Sequence, residues 1–420
     1  MSASPVNSAV LSFKDARYVV EQQAALVTMP GAEPVDLLAA AGRVLTEPVL
    51  ADRDLPPFPR STRDGYAVRS ADLSALPATL EVIGEIKAGE TLDRLPANIG
   101  SGQCAAIMTG APLPAGADAV VMVEHSSQHG KQVEITRGVA PGENVVPRGA
   151  EAQQGCVLID RGQRLTEAAL ALAASVGKSR LQVYPRPRVA VLTTGDEIVN
   201  VDAAPGPTQI RNSNSYSLAA QILRAGGQPV LLPVAPDEPQ ALRQLIELGL
   251  KSDLLLMTGG VSMGRYDLVE QVLSEMQAEF FFTGAKIQPG RPVVFGKCGA
   301  DTHVSEKPAT YFFGLPGNPV STMVTFELFA RPMLEALAGQ SSRKLTFLYA
   351  RLKSEVRVKT GLTRFLPAIL SGEFENSAVE LVAWQGSGDI AATARANCYA
   401  VIPPDCEKIA AGEWVAVMMR

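Results

Sequence analysis

A chain of 420 residues is longer than one hydrophobic core usually organises, so about two to four domains are expected. Hydrophobic residues make up 46% and charged residues 19%, a balance that suits packed globular domains and excludes a disordered chain. The net charge of −5 comes without a basic stripe, which argues against nucleic acid, and no apolar run reaches the ~18 residues of a membrane span.

Five cysteines, Cys104, Cys156, Cys298, Cys398 and Cys406, are scattered and never form a C-x-x-C pair. They point to reduced thiols in the cytoplasm rather than to a disulfide frame or a zinc site. Of the histidines, only His125 and His129 are close in sequence, and they fall in what reads as a polar hairpin. The N-terminus lacks a basic stretch followed by an apolar core, so no signal peptide is expected.

In chain order, a helical pattern over residues 13–26 breaks near Met29-Pro30-Gly31, and a second helix is expected over 37–44 with Asp36 as its N-cap. From 52 to 147 the texture changes to short alternating runs such as Leu80-Glu81-Val82-Ile83-Gly84-Glu85-Ile86, Ala119-Val120-Val121-Met122-Val123 and Gln132-Val133-Glu134-Ile135. These predict a small, mostly β domain. Helix returns over 166–176, with Thr166 as N-cap and Gly177 just beyond the end. The two flanks, 6–50 and 148–184, then make one discontinuous helical N-terminal domain around an inserted β-rich domain, 51–147.

Pro185-Arg186-Pro187 opens the next unit, 185–340. Apolar runs at Val189-Ala190-Val191-Leu192, Val230-Leu231-Leu232 and Leu254-Leu255-Leu256-Met257 alternate with helices over 215–225 and 239–248. That alternation predicts a parallel, doubly wound α/β sheet. The helix after Asn318-Pro319 buries Val320, Met323, Val324 and Leu328, and Pro332 should kink or end it. In 341–420 the period falls to two, as in 352–358, 378–384 and 414–418, so this unit reads as a small β barrel or sandwich.

Three glycine- and proline-rich loops in the α/β unit adjoin strand-like runs: Thr258-Gly259-Gly260-Val261-Ser262-Met263-Gly264, Gln288-Pro289-Gly290-Arg291-Pro292 and Leu315-Pro316-Gly317-Asn318-Pro319. Glycine lets backbone N–H groups crowd round an anion, and turns at the carboxyl ends of strands are where open α/β sheets bind ligands. A phosphate-bearing ligand is the leading idea. The first loop lacks the Lys-Ser/Thr ending of an ATPase P-loop and the G-x-G-x-x-G of a dinucleotide site. Phosphate there would be held by backbone amides, Ser262 and the following helix.

Carboxylates recur at the ends of sheet strands: Asp196-Glu197, Asp237 and, after the first loop, Asp267. Asp196 and Asp237 could each be only a helix cap, whereas Asp267 sits beside a phosphate loop. Facing a phosphate ester, such acids make sense as Mg²⁺ ligands, since bare carboxylates would repel it. By pattern alone, Pro56-Pro57-Phe58 through Asp64-Gly65 is a stiff linker ending in a turn, and Met108-Thr109-Gly110-Ala111-Pro112 is a strand and turn.

Taken together these segments resemble the molybdopterin molybdenumtransferase family, the MoeA type that also includes the E domain of gephyrin. The matching pieces are Pro56-Pro57-Phe58 with Ser61, Asp64-Gly65-Tyr66-Ala67-Val68, Met108-Thr109-Gly110-Ala111-Pro112-Leu113-Pro114 with Gly116, and Asp118-Ala119-Val120-Val121. Thr194-Gly195-Asp196-Glu197, Asn212-Ser213-Asn214, Gly259-Gly260-Val261-Ser262 with Gly264 and Asp267, and Leu315-Pro316-Gly317-Asn318-Pro319-Val320-Ser321 complete the set. They run in order over essentially the whole chain.

The resemblance implies an elongated four-domain homodimer whose site lies between one subunit's α/β domain and the partner's N-terminal domains. It implies insertion of molybdenum from molybdate into adenylylated molybdopterin, with Mg²⁺-dependent loss of AMP. On that reading Asp237, Asp267 and Glu197 are the acidic, metal-holding residues, and Asp64 and Thr109 reach across the cleft. Gly259, Gly260 and Ser262 hold the pterin phosphate or nucleotide, with Lys286, Gln288, Arg291, Pro316, Gly317 and Asn318 completing the binding loops. Transient contact with the molybdopterin adenylyltransferase and with molybdoenzyme maturation factors is implied as well. Where many members read Lys-Pro-Gly-Lys-Pro, this chain has Gln288-Pro289-Gly290-Arg291-Pro292, with Lys286 as a substitute cation. Glu151 and Arg63 also depart from the common pattern. Two rival readings are the preceding adenylyl transfer, whose enzymes are little more than an α/β unit, and a dimeric peptide-binding scaffold, which would have no need of the acids.

Overall fold

The computed structural model describes residues 10–28, 31–96, 98–260, 268–299, 309–340 and 344–420. Helix α1 (Phe13–Ala25) starts where the Ser12 hydroxyl accepts the Asp15 N–H. The second expected helix does not form. Glu33–Asp36 is a strand paired antiparallel with Arg180–Val183, and only a 3₁₀ turn, Leu38–Ala40, follows before Gly42 at φ +70°. A segment this short cannot offset the cost of helix nucleation, and tying its start into a ladder removes the residues that would have capped it. Ala40, Leu45 and Val49 pack with Ile159, Leu165, Ala169 and Ala173, so the segments on either side of the β insert share one core. Helix α2 (Glu167–Ser175) is capped by Thr166, which accepts the Ala169 N–H, and is followed by Gly177 at φ +74°.

The insert is a six-stranded sheet in which Gly65–Val68 is paired on both sides, with Gln103–Ile107 and Ala119–Met122. The apparent linker thus ends in an interior strand. A side chain at Gly65 would put its Cβ 1.8 Å from the Val121 carbonyl oxygen, so only glycine fits there.

In the α/β unit the strands run Gln228–Leu231, Arg188–Thr193, Leu254–Thr258, Thr310–Leu315, Val294–Cys298, Glu279–Phe282 across the sheet. The first four are parallel and Val294–Cys298 runs antiparallel to both its neighbours, so the doubly wound sheet is a mixed one. Helices α3 (Asn214–Ala225), α6 (Pro319–Thr325) and α7 (Arg331–Leu337) cover one face, and α4 (Pro239–Gly249) and α5 (Leu268–Glu275) the other. Order reverses at Arg188–Thr193, whose neighbours on either side come later in the chain, which opens a crevice at the carboxyl ends of these strands.

The kink expected at Pro332 lies one turn earlier. Phe326–Ala330 forms a π-helical turn between α6 and α7. Pro332 has no N–H to offer the Leu328 carbonyl, and the buried Arg17 guanidinium of α1 donates to that oxygen at 2.6 Å instead. Helix α1 lies against this face, with Ala16, Val20 and Ala24 in the same core as Val189, Leu256 and Phe313.

Residues 348–419 close a five-stranded barrel: Thr363–Ser371 pairs with Ala378–Leu381 on one side and Cys398–Ile402 on the other, and Leu348–Leu352 and Trp414–Met419 complete the ring. Closure leaves no strand edge free in that ring. Thr363–Ser371 shows no alternation because both its faces are buried: Leu366 and Ala368 face the barrel core, while Phe365 meets the Phe13 ring at 5.3 Å. Among the described residues no helix is long and apolar enough to cross a membrane.

Candidate active site

The carboxyl ends of the parallel strands are tied to one another before any ligand enters. The Thr194 N–H donates to the Thr258 carbonyl at 3.0 Å and the Gly195 N–H to the Ala235 carbonyl at 3.2 Å. Thr258 Oγ1 donates to the Pro316 carbonyl at 3.1 Å. Gly259 has φ +90°, and a Cβ there would lie 2.4 Å from the Thr194 carbonyl oxygen, so the two-glycine turn packs directly onto the neighbouring strand end. Asn212 starts α3 by accepting the Ser215 N–H at 3.1 Å while its amide donates to Ser215 Oγ at 2.9 Å.

These strand ends surround a cavity of about 640 Å³. Glu197, Asp237, Gly259, Gly260, Pro316, Gly317 and Asn318 all line it, so most of the predicted α/β site residues converge. Asp237 is not a cap. Glu238 caps α4, accepting the Gln240 and Ala241 N–H groups at 2.9 and 2.7 Å, which leaves the Asp237 carboxylate to the cavity. Asp196 lies outside the lining but accepts the Asp237 N–H at 3.1 Å. Partial burial, then the nearby Asp196 and Glu197 carboxylates, raise the Asp237 pKa above its ordinary value.

A second cavity of about 340 Å³ adjoins the first and shares Pro292, Pro316 and Asn318 with it. Gln288 and Arg291 line it, together with Leu362, Trp384 and Ser387 from the barrel unit, and no carboxylate does. Asn318 Nδ2 donates to Ser387 Oγ at 2.9 Å and the Val320 N–H to the Ser387 carbonyl at 3.0 Å, so the C-terminal unit clamps the Pro-Gly-Asn-Pro loop. Trp384 and Ser387 escape sequence reasoning because nothing local marks them and they join the site only through packing. Asn212-Ser213-Asn214 carries a readable signal, two amides at the start of a helix.

The remaining predicted residues fall elsewhere. Lys286 is exposed and lines neither cavity. Asp64 and Thr109 sit together in the β insert, where Asp64 accepts the Thr109 N–H at 2.7 Å, and neither lines the cavities of its own chain. Ser262 and Asp267 lie outside the described residues. Glu151 accepts from Arg60 Nη2 at 2.8 Å, an exposed ion pair within the N-terminal half.

Three family models match in order: the MoeA N-terminal region (domain I and II) over residues 11–177, a probable molybdopterin binding domain over 190–336, and the MoeA C-terminal region (domain IV) over 349–419. A molybdopterin molybdenumtransferase of Nostoc is 38% identical over 73% of this chain and 70% of its own length. That of Bacillus subtilis is 32% identical over 90% of this chain and 87% of its own. Two crystal structures of a molybdopterin biosynthesis MoeA protein from Pyrococcus horikoshii superpose over 98% of this chain, covering 99% and 100% of theirs, at 32% and 26% identity with TM-scores of 0.71 and 0.76.

Proposed function

We propose that this chain, which belongs to the MoeA family of molybdopterin molybdenumtransferases, transfers molybdenum from molybdate into adenylylated molybdopterin and releases AMP. The observation that carries the reading is the pairing of a cavity lined by Glu197, Asp237 and Arg211 with an adjoining cavity that bears Arg291 and no carboxylate, both at the carboxyl ends of the parallel strands. The backbone amides of the Gly259-Gly260 turn receive the phosphates, while Arg291 and Gln288 receive the oxyanion. Preceding adenylyl transfer is the weaker reading, because the family likeness extends through the N-terminal and barrel units as well as the α/β unit.

Mg²⁺ suits the donor set. Glu197 and Asp237 offer hard oxygens, and the crowding that raises the Asp237 pKa is what a cation would relieve. Mg²⁺ is commonly held by one or two carboxylates, with water and phosphate oxygens completing its shell. When bound, the ion would neutralise phosphate charge at the anhydride. Glu197 and Asp237 would hold it, and Asp267 belongs to the same proposed set.

Asp64 and Thr109 lie apart from both cavities of their own chain, which supports a homodimer in which they serve the partner's site. The described cysteines are all free, which supports a cytoplasmic enzyme. Its substrate is another enzyme's adenylylated product, so brief contacts with that enzyme and with molybdoenzyme maturation factors belong to the same reading.

The decisive experiment mixes the protein with adenylylated molybdopterin and follows AMP by chromatography, with and without Mg²⁺ and molybdate. AMP release that needs Mg²⁺ and rises with molybdate, with metal then found on the pterin, is expected. Formation of adenylylated pterin from ATP and free molybdopterin, without AMP release, would point to the preceding step instead.

A further inference from the structure

Two buried polar atoms belonging to residues that line the acidic cavity have no hydrogen-bond partner among the described residues: Thr194 Oγ1 and Asn214 Oδ1. Their residues are only 4% and 8% exposed. A threonine hydroxyl can donate or accept, so Thr194 discriminates little. Asn214 is different, because its amide cannot be turned over. Nδ2 lies 2.8 Å from the Gly317 carbonyl oxygen and 2.9 Å from Thr258 Oγ1. A carbonyl only accepts, so the atom facing Gly317 must be the nitrogen. Thr258 already donates its proton to the Pro316 carbonyl, so it too receives from Asn214. Both Nδ2 hydrogens are used, and Oδ1 is left as a fixed acceptor.

We propose that Asn214 is a specificity-determining residue whose Oδ1 accepts a hydrogen bond from an N–H or O–H of the substrate, supplied by the pterin or by the ribose of the adenylyl group. This rests on the reading of the cavity as the substrate site. Deprotonated phosphate and molybdate oxygens only accept, so Asn214 gives them nothing, and the donor-bearing edge of the ligand belongs on this wall. A buried acceptor of fixed direction discriminates against analogues without the donor, because they leave it unpaired.

The test is calorimetric titration of the full-length protein with adenylylated molybdopterin, with AMP, and with 2′- and 3′-deoxy-AMP. Asn214→Ala should raise the Kd for adenylylated molybdopterin at least about tenfold. If the donor is on the pterin, AMP binding is unchanged in that variant; if it is a ribose hydroxyl, AMP weakens equally and one deoxy form is insensitive to the substitution. Should the alanine variant not fold, the wild type is titrated with the two deoxy forms and with an adenylylated pterin lacking the exocyclic amino group. Loss of affinity for one of these supports the proposal, and equal affinity for all overturns it. Equal Kd values for wild type and Asn214→Ala with every ligand also overturn it. Wild-type protein that binds neither adenylylated molybdopterin nor AMP overturns the assignment of the cavity itself, and the proposal with it.

Discussion

The two adjoining cavities share a wall at Pro292, Pro316 and Asn318 but differ in the sign of what faces inward. The larger one is lined by the carboxylates Glu197 and Asp237 with the single cation Arg211, and the unpartnered Asn214 acceptor is buried in its wall. The smaller presents Arg291 with the neutral Gln288, Ser387 and Trp384, a surface an oxyanion can enter without meeting a carboxylate. Two unit charges at ~4 Å and an effective dielectric of ~20 interact by about 4 kcal/mol, so a dianion beside one cation rather than one anion is sorted strongly even after desolvation is subtracted. A free oxyanion is therefore favoured in the smaller pocket, whereas phosphates enter the larger one with a cation between them and its carboxylates.

The sharpest way to break that division is to remove the acids. Glu197→Ala and Asp237→Ala should each lower kcat by at least about 100-fold while the circular dichroism spectrum is retained. Full activity in either would leave the larger cavity without its proposed role. The next test concerns completion of the cavity by a second subunit. Mixing inactive Asp64→Ala with inactive Asp237→Ala should recover up to about a quarter of wild-type activity, since random pairing makes half the dimers mixed and each of those has one intact site. No recovery in verified mixed dimers would put the whole site within one subunit.

The smaller cavity is tested by its cation. Arg291→Ala should raise the half-saturating molybdate concentration by about tenfold or more, and Gln288→Lys should lower it, as read from initial rates against molybdate. If neither moves that concentration, the loop contacts pterin or nucleotide and not the oxyanion. Arg17→Met supplies a control remote from both cavities. It leaves the Leu328 carbonyl without its donor, which should cost about 1–3 kcal/mol in urea unfolding with KM unchanged.

The smallest effect is a pH dependence. Because the Asp237 pKa is raised in the folded protein, ionising it costs more folded than unfolded. That penalty is present above the folded-state pKa and vanishes below the unfolded one. Without Mg²⁺, Asp237→Asn should therefore stabilise the protein slightly at neutral pH, by less than about 0.5 kcal/mol because the side chain is exposed and screened, and not at all in acid. Saturating Mg²⁺ should reverse the order of the two proteins, as only the wild type keeps both carboxylates.

How far the sequence could be read varied with how local the cause was. Thr166 as a cap, the helices at 215–225 and 239–248 and the strand pattern of the α/β unit are all present, because each follows from periodicity and capping within a few residues. The helix expected over 37–44 fails because the residues that would start it, Glu33–Asp36, are drawn into a ladder with the distant segment Arg180–Val183. Asp237 was open to a capping role that Glu238 fills, a choice between neighbours that only the backbone path makes.

By itself the sequence carried the family likeness and the glycine and acid motifs, since these depend on residue type at short spacing. The tertiary structure alone decided which motifs share a cavity, that Lys286 lines neither, and that Ser387 and Trp384 wall the second one. It also decided the direction of Asn214. That direction comes from Thr258 and Gly317, 44 and 103 residues further along the chain, and hydrogen-bond geometry between such distant residues exists only once the strands that carry them are side by side.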